Sequence, residues 1–180
     1  MKKIKILIIF FAVIAFIMAC EREIVPEVPS IEFTSFEIFD TTDALLGNNM
    51  KAGRLKFRFE AVDFGMNSPR FDPTNPELAD TTNLRLTLYR KIGGVMQLVT
   101  DSNDPLLSDP AYRVPYLEKV GQSKVLRGEI IISMLYMSYN PNPTDTIKYD
   151  FFIIDRAGNV SNTEETAEII VAENNVYKKE

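Results

Sequence analysis

Cys20 is the residue whose chemistry stands out first, because it is the only cysteine in a chain of 180 residues. It follows an apolar run, Ile6 to Ile17, that is preceded by Lys2, Lys3 and Lys5. A single thiol cannot form an internal disulfide, and the apolar run is shorter than the roughly 20 residues that cross a membrane. Basic residues followed by an apolar run are typical of an export signal. This order of basic residues, apolar run and single cysteine predicts that the Cys20 sulfur carries a covalent modification.

The end of this segment, Ile17-Met18-Ala19-Cys20, resembles a bacterial lipobox, in which a small residue precedes a cysteine that is acylated. The resemblance implies that residues 1–19 are a signal peptide and that the mature lipoprotein begins at Cys20, where palmitate or a similar chain holds it in the membrane. The sequence leaves one alternative, an N-terminal anchor helix that is not cleaved. Glu21 to Pro29 contains two prolines and no periodicity, so residues 20–29 are predicted to be a tether.

The absent residue types restrict the chemistry further. The chain contains no histidine, and its one cysteine is predicted to carry lipid. Ser-His-Asp and Cys-His nucleophilic sites and ordinary zinc sites are therefore excluded, which leaves only carboxylate chemistry. The acidic residues are scattered and show no paired constellation in an aromatic setting. The sequence therefore predicts a protein that is not an enzyme and that holds no cofactor or metal.

The charge of the chain limits its partners. The leader contains three of the 20 basic residues and none of the 25 acidic ones, which leaves the mature chain with a formal charge of −8. Such a surface repels phosphate backbones, so nucleic acid is excluded as a partner. The expected partners are the membrane, through the lipid on Cys20, and a glycan or a protein at the cell surface.

The elements that carry these residues are predicted to be strands. Arg54 to Ala61 alternates most regularly, with Leu55, Phe57 and Phe59 on one face and charged residues on the other, as in a half-buried strand of an antiparallel sheet. No segment of the mature chain shows a sustained helical period. The other predicted strands are Ile31–Phe39 with a bulge at Thr34-Ser35, Leu84–Leu88 joined through Gly93-Gly94 to Val95–Val99, an edge segment at Tyr112–Leu117, Val125–Met134, Ile147–Ile153 and Ala167–Val171.

Seven or eight short strands with turn signals between them predict an all-β domain, an immunoglobulin-like sandwich of two antiparallel sheets. A small barrel is the alternative. The domain is expected to span residues 30–173, after the signal peptide and the tether. Residues 174–180 are predicted to be a charged tail.

Four blocks of the mature chain stand out as motifs: Val114-Pro115-Tyr116-Leu117, Gly128-Glu129-Ile130, Asp145-Thr146-Ile147-Lys148-Tyr149, and Asp155 to Asn162 with Thr166 after it. Together they are similar to small immunoglobulin-like lipoproteins of Bacteroidota, most of which have no assigned function. The last block contains an Asp-x-Ala-Gly-Asn turn that recurs in bacterial immunoglobulin-like modules. The resemblance implies an outer-membrane lipoprotein that is exposed at the cell surface. Glu21 and Glu23 loosely resemble the acidic signal that follows the cysteine in such lipoproteins, and the alternative is a solvated linker whose charge has no such role.

Two groups of residues invite a structural as well as a functional interpretation. Asp155, Asn159 and Asn162 offer oxygen atoms that suit Ca²⁺. A hairpin turn needs the same residue types for its backbone, and the turn is the favoured interpretation. Tyr149 is a candidate for a tyrosine corner, which is also a structural role.

Tyr136, Met137 and Tyr139 precede two prolines and are the best candidates for an exposed ligand contact at a loop tip. The other interpretation, which is the favoured one, is that they finish the preceding strand and pack under the loop. Exposed tyrosines at a concave end would favour a non-catalytic binding or accessory module at the cell surface. An uncovered apolar edge strand would favour the second hypothesis, a structural subunit of an envelope assembly that is joined through a sheet edge.

One short pattern, Asp-Thr followed by Thr or Ile, occurs three times, at Thr41, Thr81 and Thr146. It resembles the sequon at which Bacteroidota O-glycosylate exported proteins, and the resemblance implies O-glycosylation of these three threonines. All three are expected in loops or at the start of a strand, where a sugar would meet water. Asp-Thr is also good turn chemistry, which needs no sugar.

Overall fold

The structure is a computed structural model that describes residues 25–43, 47–65, 82–101, 104, 106, 111–119, 121, 123–136 and 144–179. The described residues form ten strands and no helix, and so they include no helix long and apolar enough to span a membrane. In chain order the strands are β1 (Ser30–Thr42), β2 (Asn49–Ala61), β3 (Leu84–Ile92), β4 (Val95–Leu98), β5 (Ala111–Tyr112), β6 (Leu126–Tyr136), β7 (Thr146–Ile153), β8 (Glu164–Glu165), β9 (Ile169–Ile170) and β10 (Asn175–Lys178).

The strands form two antiparallel sheets that pack against each other. Sheet 1 has the order β10-β1-β2-β6, and sheet 2 has the order β4-β3-β7-β8, with β5 paired to β3 and β9 paired to β7. When β1, β2 and β6 are taken as strands A, B and E, and β3, β7 and β8 as C, F and G, this order is that of an immunoglobulin-like sandwich. The predicted all-β sandwich is confirmed. The strand number exceeds the prediction because β8 and β10 lie where the sequence predicts no strand.

The hydrophobic alternation of the sequence places the core correctly. The register between β1 and β2 shifts between Phe33 and Ser35, so the predicted bulge is present and returns Phe36 and Ile38 to the buried face. On β2, Leu55 and Phe57 are fully buried. A side-chain period of two explains why both strands present one apolar face to sheet 2.

Aromatic rings from the two sheets meet in the centre of the core. The ring centroids of Phe57 and Phe151 lie 5.2 Å apart, and Phe33 meets Phe151 edge-on at 6.4 Å. Phe36 stacks on Tyr149 at 5.7 Å. Full burial of one such side chain contributes about 1.5–3 kcal/mol, so these contacts hold the two sheets together without a disulfide.

The domain continues past residue 173, where the sequence predicts a charged tail. Asn175–Lys178 instead forms β10, which pairs with residues 35–38 of β1. The Tyr177 hydroxyl donates a hydrogen bond to the Ile170 carbonyl oxygen at 3.0 Å and accepts one from the Ile170 N–H at 3.1 Å. Because this edge strand has four residues and turns only Tyr177 toward the core, its sequence carries too little alternation to show a strand.

Candidate functional site

The longest edge strand among the described residues is β6. Its 11 residues pair with β2 without a break, from Leu126 opposite Ala61 to Tyr136 opposite Lys51. On its other side, no strand of the described residues lies beside it. Strand D takes that position in an immunoglobulin constant-type sheet, whereas here the strand before β6 in the chain, β5, pairs with β3 of sheet 2. An edge of this kind presents a row of backbone N–H and C=O groups with which another strand can pair.

The side chains of β6 make this edge apolar in its second half. Ile131 is 53% exposed and Leu135 is 50% exposed, both on the outward face. On the inward face, Leu126 and Ile132 pack on the core but remain partly exposed. The strand contains no proline, no bulge and no inward-pointing charge, which are the features that commonly protect an edge from pairing. A strand added here would cover apolar side chains on both faces.

The first half of β6 carries charges that are already paired with β2. The Arg127 guanidinium donates to both carboxylate oxygens of Glu60 at 3.0 Å. Glu129 lies 2.9 Å from the Lys56 ammonium. Exposed pairs of this kind contribute little to stability, but they join the first half of β6 to β2.

Side chains from sheet 2 close the opposite edge of sheet 1. The Asn162 side-chain oxygen accepts a hydrogen bond from the Ile31 N–H at 2.8 Å, and its amide nitrogen donates to the Ile31 carbonyl at 2.9 Å. A carboxylate oxygen of Glu164 accepts from the Phe33 N–H at 3.0 Å. A side-chain amide offers the same donor and acceptor as a peptide group. Asn162 therefore takes the place of a strand residue beside the first part of β1.

A polar network closes the same edge before β10 begins. Asp40 lies 2.8 Å from the Lys51 ammonium and accepts a hydrogen bond from the Asn174 amide at 2.6 Å. Lys51 also donates to the Asn174 side-chain oxygen at 2.8 Å. The hydrogen bond from Lys51, and then that from Asn174, lower the pKa of the Asp40 carboxyl below its ordinary value. The network ties the turn before β10 to both β1 and β2.

The edges of sheet 2 are short or interrupted. β4 has four residues and exposes Val95 and Leu98 beside its turn. On the other side of the sheet, β8 and β9 have two residues each and are separated by residues 166–168. The Thr166 hydroxyl in this gap accepts a hydrogen bond from the Tyr149 N–H at 3.0 Å. Short edge strands offer little backbone to an incoming strand. Among the described residues, β6 is therefore the edge best suited to pairing.

Tyr136 finishes β6 and packs in the core, which is the interpretation that the sequence favours over an exposed contact. It is 0% exposed, and its hydroxyl lies 3.1 Å from the Tyr149 hydroxyl and 3.9 Å from the Met134 sulfur. Burial raises the pKa of both tyrosines, so both phenols are neutral. The alternation of β6 simply runs one residue pair further and turns Tyr136 inward. The other two candidates, Met137 and Tyr139, lie outside the described residues.

Tyr149 has the structural role that was expected, but it does not form a tyrosine corner. A tyrosine corner bonds to backbone a few residues upstream. The Tyr149 hydroxyl instead lies 3.5 Å from the carbonyl of Leu106, 43 residues earlier in the chain. Tyr149 lies within β7 and faces the core. Its hydroxyl there meets Leu106, from the connection between β4 and β5, and Tyr136, at the end of β6.

The block from Asp155 to Asn162 forms a turn that is held from within. One carboxylate oxygen of Asp155 accepts from the backbone N–H groups of Ala157 at 2.9 Å and Asn159 at 2.8 Å, and the other accepts from the Asn159 side-chain amide at 2.8 Å. Gly158 has a φ of 90°, in the region that favours glycine. Asn162 faces β1 instead. The turn interpretation therefore holds, and no group of three metal-ligating side chains occurs among the described residues.

Two of the predicted O-glycosylation positions lie in the described residues. Thr146 is the first residue of β7, as expected, and its hydroxyl donates to the Thr144 carbonyl at 3.4 Å. Thr41 lies inside β1 opposite Met50 and is partly buried, so it is not in a loop as expected. Thr81 and Cys20 lie outside the described residues. O-glycosylation and lipidation both stay predictions.

Two grooves formed by the described residues are lined by paired charges. A groove of about 600 Å³ at the end of sheet 1 is lined by Arg58, Glu60, Arg127 and Glu129 among others. A groove of about 820 Å³ between β8 and β10 is lined by acidic and lysine side chains. There, Lys179 donates to Glu164 at 2.9 Å. These ion pairs belong to the packing of the strands that form the grooves.

Searches against protein-family models, curated proteins and solved structures find no match to this chain. The functional argument therefore rests on the geometry of β6. Alternation in the sequence identifies β6 as a strand but does not show which strands lie beside it. That depends on the pairing of β5 with β3 in sheet 2 rather than with β6. The bond between Asn162 and Ile31 is also missed, although Asn162 belongs to one of the four motifs.

Proposed function

We propose that this chain is an exported, lipid-anchored, non-catalytic protein that serves as a structural subunit of an envelope assembly, joined to its partner by strand addition at β6. The observation that carries the proposal is the 11-residue edge of β6, beside which no strand of the described residues lies. Strand addition uses main-chain hydrogen bonds for affinity and alternate side chains for specificity. β6 offers both, since Ile131 and Leu135 are exposed on one face and Ile132 is partly exposed on the other.

The anchor of the proposed subunit is the lipid on Cys20. The basic residues, apolar run and Ala19-Cys20 junction support export and acylation. The resemblance to surface lipoproteins of Bacteroidota supports the outer membrane and its exposed face as the location. The described domain begins its first strand at Ser30, so about ten residues separate it from the lipid. The protein would act next to the membrane rather than at a distance from it.

The carboxylates of the described strands support a structural rather than a catalytic role. Glu37, Glu60 and Glu129 each face a basic side chain on a neighbouring strand, at 2.8 to 3.0 Å. A glycosidase needs two carboxyl groups facing one another across a substrate cleft. These three carboxylates instead form ion pairs between neighbouring strands of one sheet, which is a structural role. This agrees with a chain that lacks histidine altogether.

A binding or accessory module for a glycan or protein is the other function that the sequence suggests. Its support came from tyrosines at a loop tip, and Tyr136 lies instead in the core. The free edge of β6 thus favours the structural subunit. A protein partner remains part of both functions, and they differ in whether the contact is made by loops or by β6.

A photo-crosslinking experiment in the protein's own host tests the proposal. A benzoylphenylalanine is introduced at Ile131 on β6 or, as the matched control, at Val176 on β10, which is 46% exposed. Irradiation of intact cells should yield a discrete membrane-bound adduct from position 131 and little or none from position 176. Equal adducts at both positions, or none at 131, would contradict strand addition at β6.

The anchor is tested separately with Cys20→Ser. This change removes the thiol that would be acylated, so the protein should lose its acyl mass and leave the membrane fraction. The crosslinking result at 131 does not depend on this outcome if the soluble protein still reaches the envelope. Retention of the acyl mass in Cys20→Ser would reject lipidation at this residue.

A further inference from the structure

We infer that the strand that pairs with β6 is β6 of a second copy of this chain, in antiparallel register about Ile131. This inference rests on the proposed function and names the partner for it. The first support is length. Ile131 is the middle residue of β6, Leu126–Tyr136, so a two-fold axis at this residue gives every one of the 11 residues a partner. Any register centred elsewhere leaves part of each strand unpaired.

The outward side chains of β6 complement themselves in this register. Ile131 faces Ile131 of the second copy, Glu129 faces Ser133 and Arg127 faces Leu135. No like charges are directly opposite, whereas like charges in that position destabilise a pair of strands. An axis at Glu129 would set two carboxylates against each other, and an axis at Arg127 would set two guanidinium groups against each other. Charge therefore selects against these shifted registers.

The inward side chains agree with the same pairing. Ile130 faces Ile132 of the second copy, Gly128 faces Met134 and Leu126 faces Tyr136, so each inward pair is free of charge. Ile132 and Leu126, which are partly exposed in one copy, would be covered by the added strand. The joined sheet would have eight strands, with the cores of the two copies continuous across the contact.

The position of the N-terminal segment is compatible with two copies on one membrane. β1 begins at Ser30 opposite Glu60, which in turn lies opposite Arg127 of β6. The two-fold axis puts these ends on opposite sides of the joined sheet, separated by roughly 27 Å along the strands. Pro29 is buried and the Glu27 carbonyl accepts a hydrogen bond from the Asn159 side chain at 3.5 Å. Roughly six residues before Glu27 are therefore left to extend, and they reach roughly 20 Å. Both anchors therefore reach one membrane when the strands lie parallel to its surface.

Cysteine crosslinking of the full chain, purified in detergent, tests the register. With Ile131→Cys the two thiols would face each other with Cβ atoms about 4.5–5.5 Å apart, so an added oxidant should give covalent dimers in high yield. Leu135→Cys is the matched control, since it is equally exposed on the same face but its two copies would lie roughly 27 Å apart. The unmodified chain controls for Cys20. Equal crosslinking at 131 and 135 would overturn the inference.

A charge exchange at the same position tests the symmetry. Ile131→Asp and Ile131→Lys should each weaken self-association at least tenfold, because each sets two like charges across the axis. An equimolar mixture of the two variants should associate again, with the mixed dimer as the main species in analytical ultracentrifugation. Failure of the mixture to recover would overturn the inference.

The host experiment separates this inference from the proposed function. An adduct at position 131 with twice the mass of the chain supports both. An adduct with a different protein overturns the second copy but leaves strand addition at β6 intact. The absence of any adduct at 131 overturns both.

Discussion

The two edges of sheet 1 differ in how their backbone is satisfied. At the β1 edge, the short strand β10 covers the middle of β1, and Asn162 and Glu164 bond its first residues. At the β6 edge, the strand is long and unbroken, with no neighbour among the described residues. One edge is closed by the chain itself, and no strand in the described part of the chain closes the other.

The difference follows from where the chain crosses between sheets. After β7, the chain passes through β8 and β9 in sheet 2 and then returns to sheet 1 as β10. The segment between β7 and β8 places Asn162 next to the start of β1. On the other side, the connection before β6 stays with β3 through β5. Edge protection in this fold is therefore a matter of connectivity more than of local sequence.

The core beneath both edges provides the largest expected effect. Phe151 contacts Phe33 of β1 and Phe57 of β2, so Phe151→Ala removes a ring that packs sheet 2 against two strands of sheet 1. We expect a loss of about 3–5 kcal/mol in the free energy of unfolding, measured by urea denaturation with far-UV circular dichroism, since the chain has no tryptophan. A loss below about 1 kcal/mol would mean that the sheets do not meet as described.

Breaking the closed edge should have the next largest effect. Asn162→Ala removes both hydrogen bonds to the Ile31 backbone, each worth about 0.5–1.5 kcal/mol, and leaves the buried Ile31 peptide without them. We expect a loss of about 2 kcal/mol in the free energy of unfolding and faster hydrogen exchange at residues 30–33. Thr163→Ala, at the exposed neighbouring position, is the control and should cost little. Equal costs for the two variants would contradict a specific role for Asn162.

The closed edge should also respond to acid. Because the pKa of Asp40 is lowered from its ordinary 3.8, its contribution is complete above that value and is lost as the pH falls through the lowered pKa. The free energy of unfolding of Asp40→Asn should therefore fall less between pH 5 and pH 2 than that of the unchanged chain. Parallel pH profiles for the two proteins would argue against this network. The effect is expected to be small because Asp40 is exposed.

The open edge should tolerate substitution best. Ile131→Lys replaces a side chain that is 53% exposed, so the unfolding of the isolated monomer should change by no more than about 0.5 kcal/mol. Measurements at low protein concentration keep self-association out of this comparison. A loss above about 2 kcal/mol would show that Ile131 already packs against the same chain.

The sequence predicts the regular part of this fold well. Alternation identifies β2 and β7 and their buried faces, and the phase slip before Phe36 predicts the bulge in β1. Alternation reports one strand at a time, however, and it does not say which strand lies beside which. Alternation supports the favoured interpretation of Tyr136, which ends β6 and is buried. It does not show β10, the lack of a second neighbour for β6 among the described strands, or the hydrogen bonds between Asn162 and Ile31. These features depend on contacts between residues far apart in the chain.

The paired hydrogen bonds of Asn162 also determine how the domain bears a mechanical load. Force applied through the N-terminal segment enters the fold at Ser30 and pulls along β1. Ile31 is held on one side by β2, where it lies opposite Phe59, and on the other by Asn162 from the segment that follows β7. The pull is therefore divided between both sheets and acts in shear, so that several bonds must break at once. A domain built this way resists being peeled open from its anchored end although no disulfide crosslinks its two sheets.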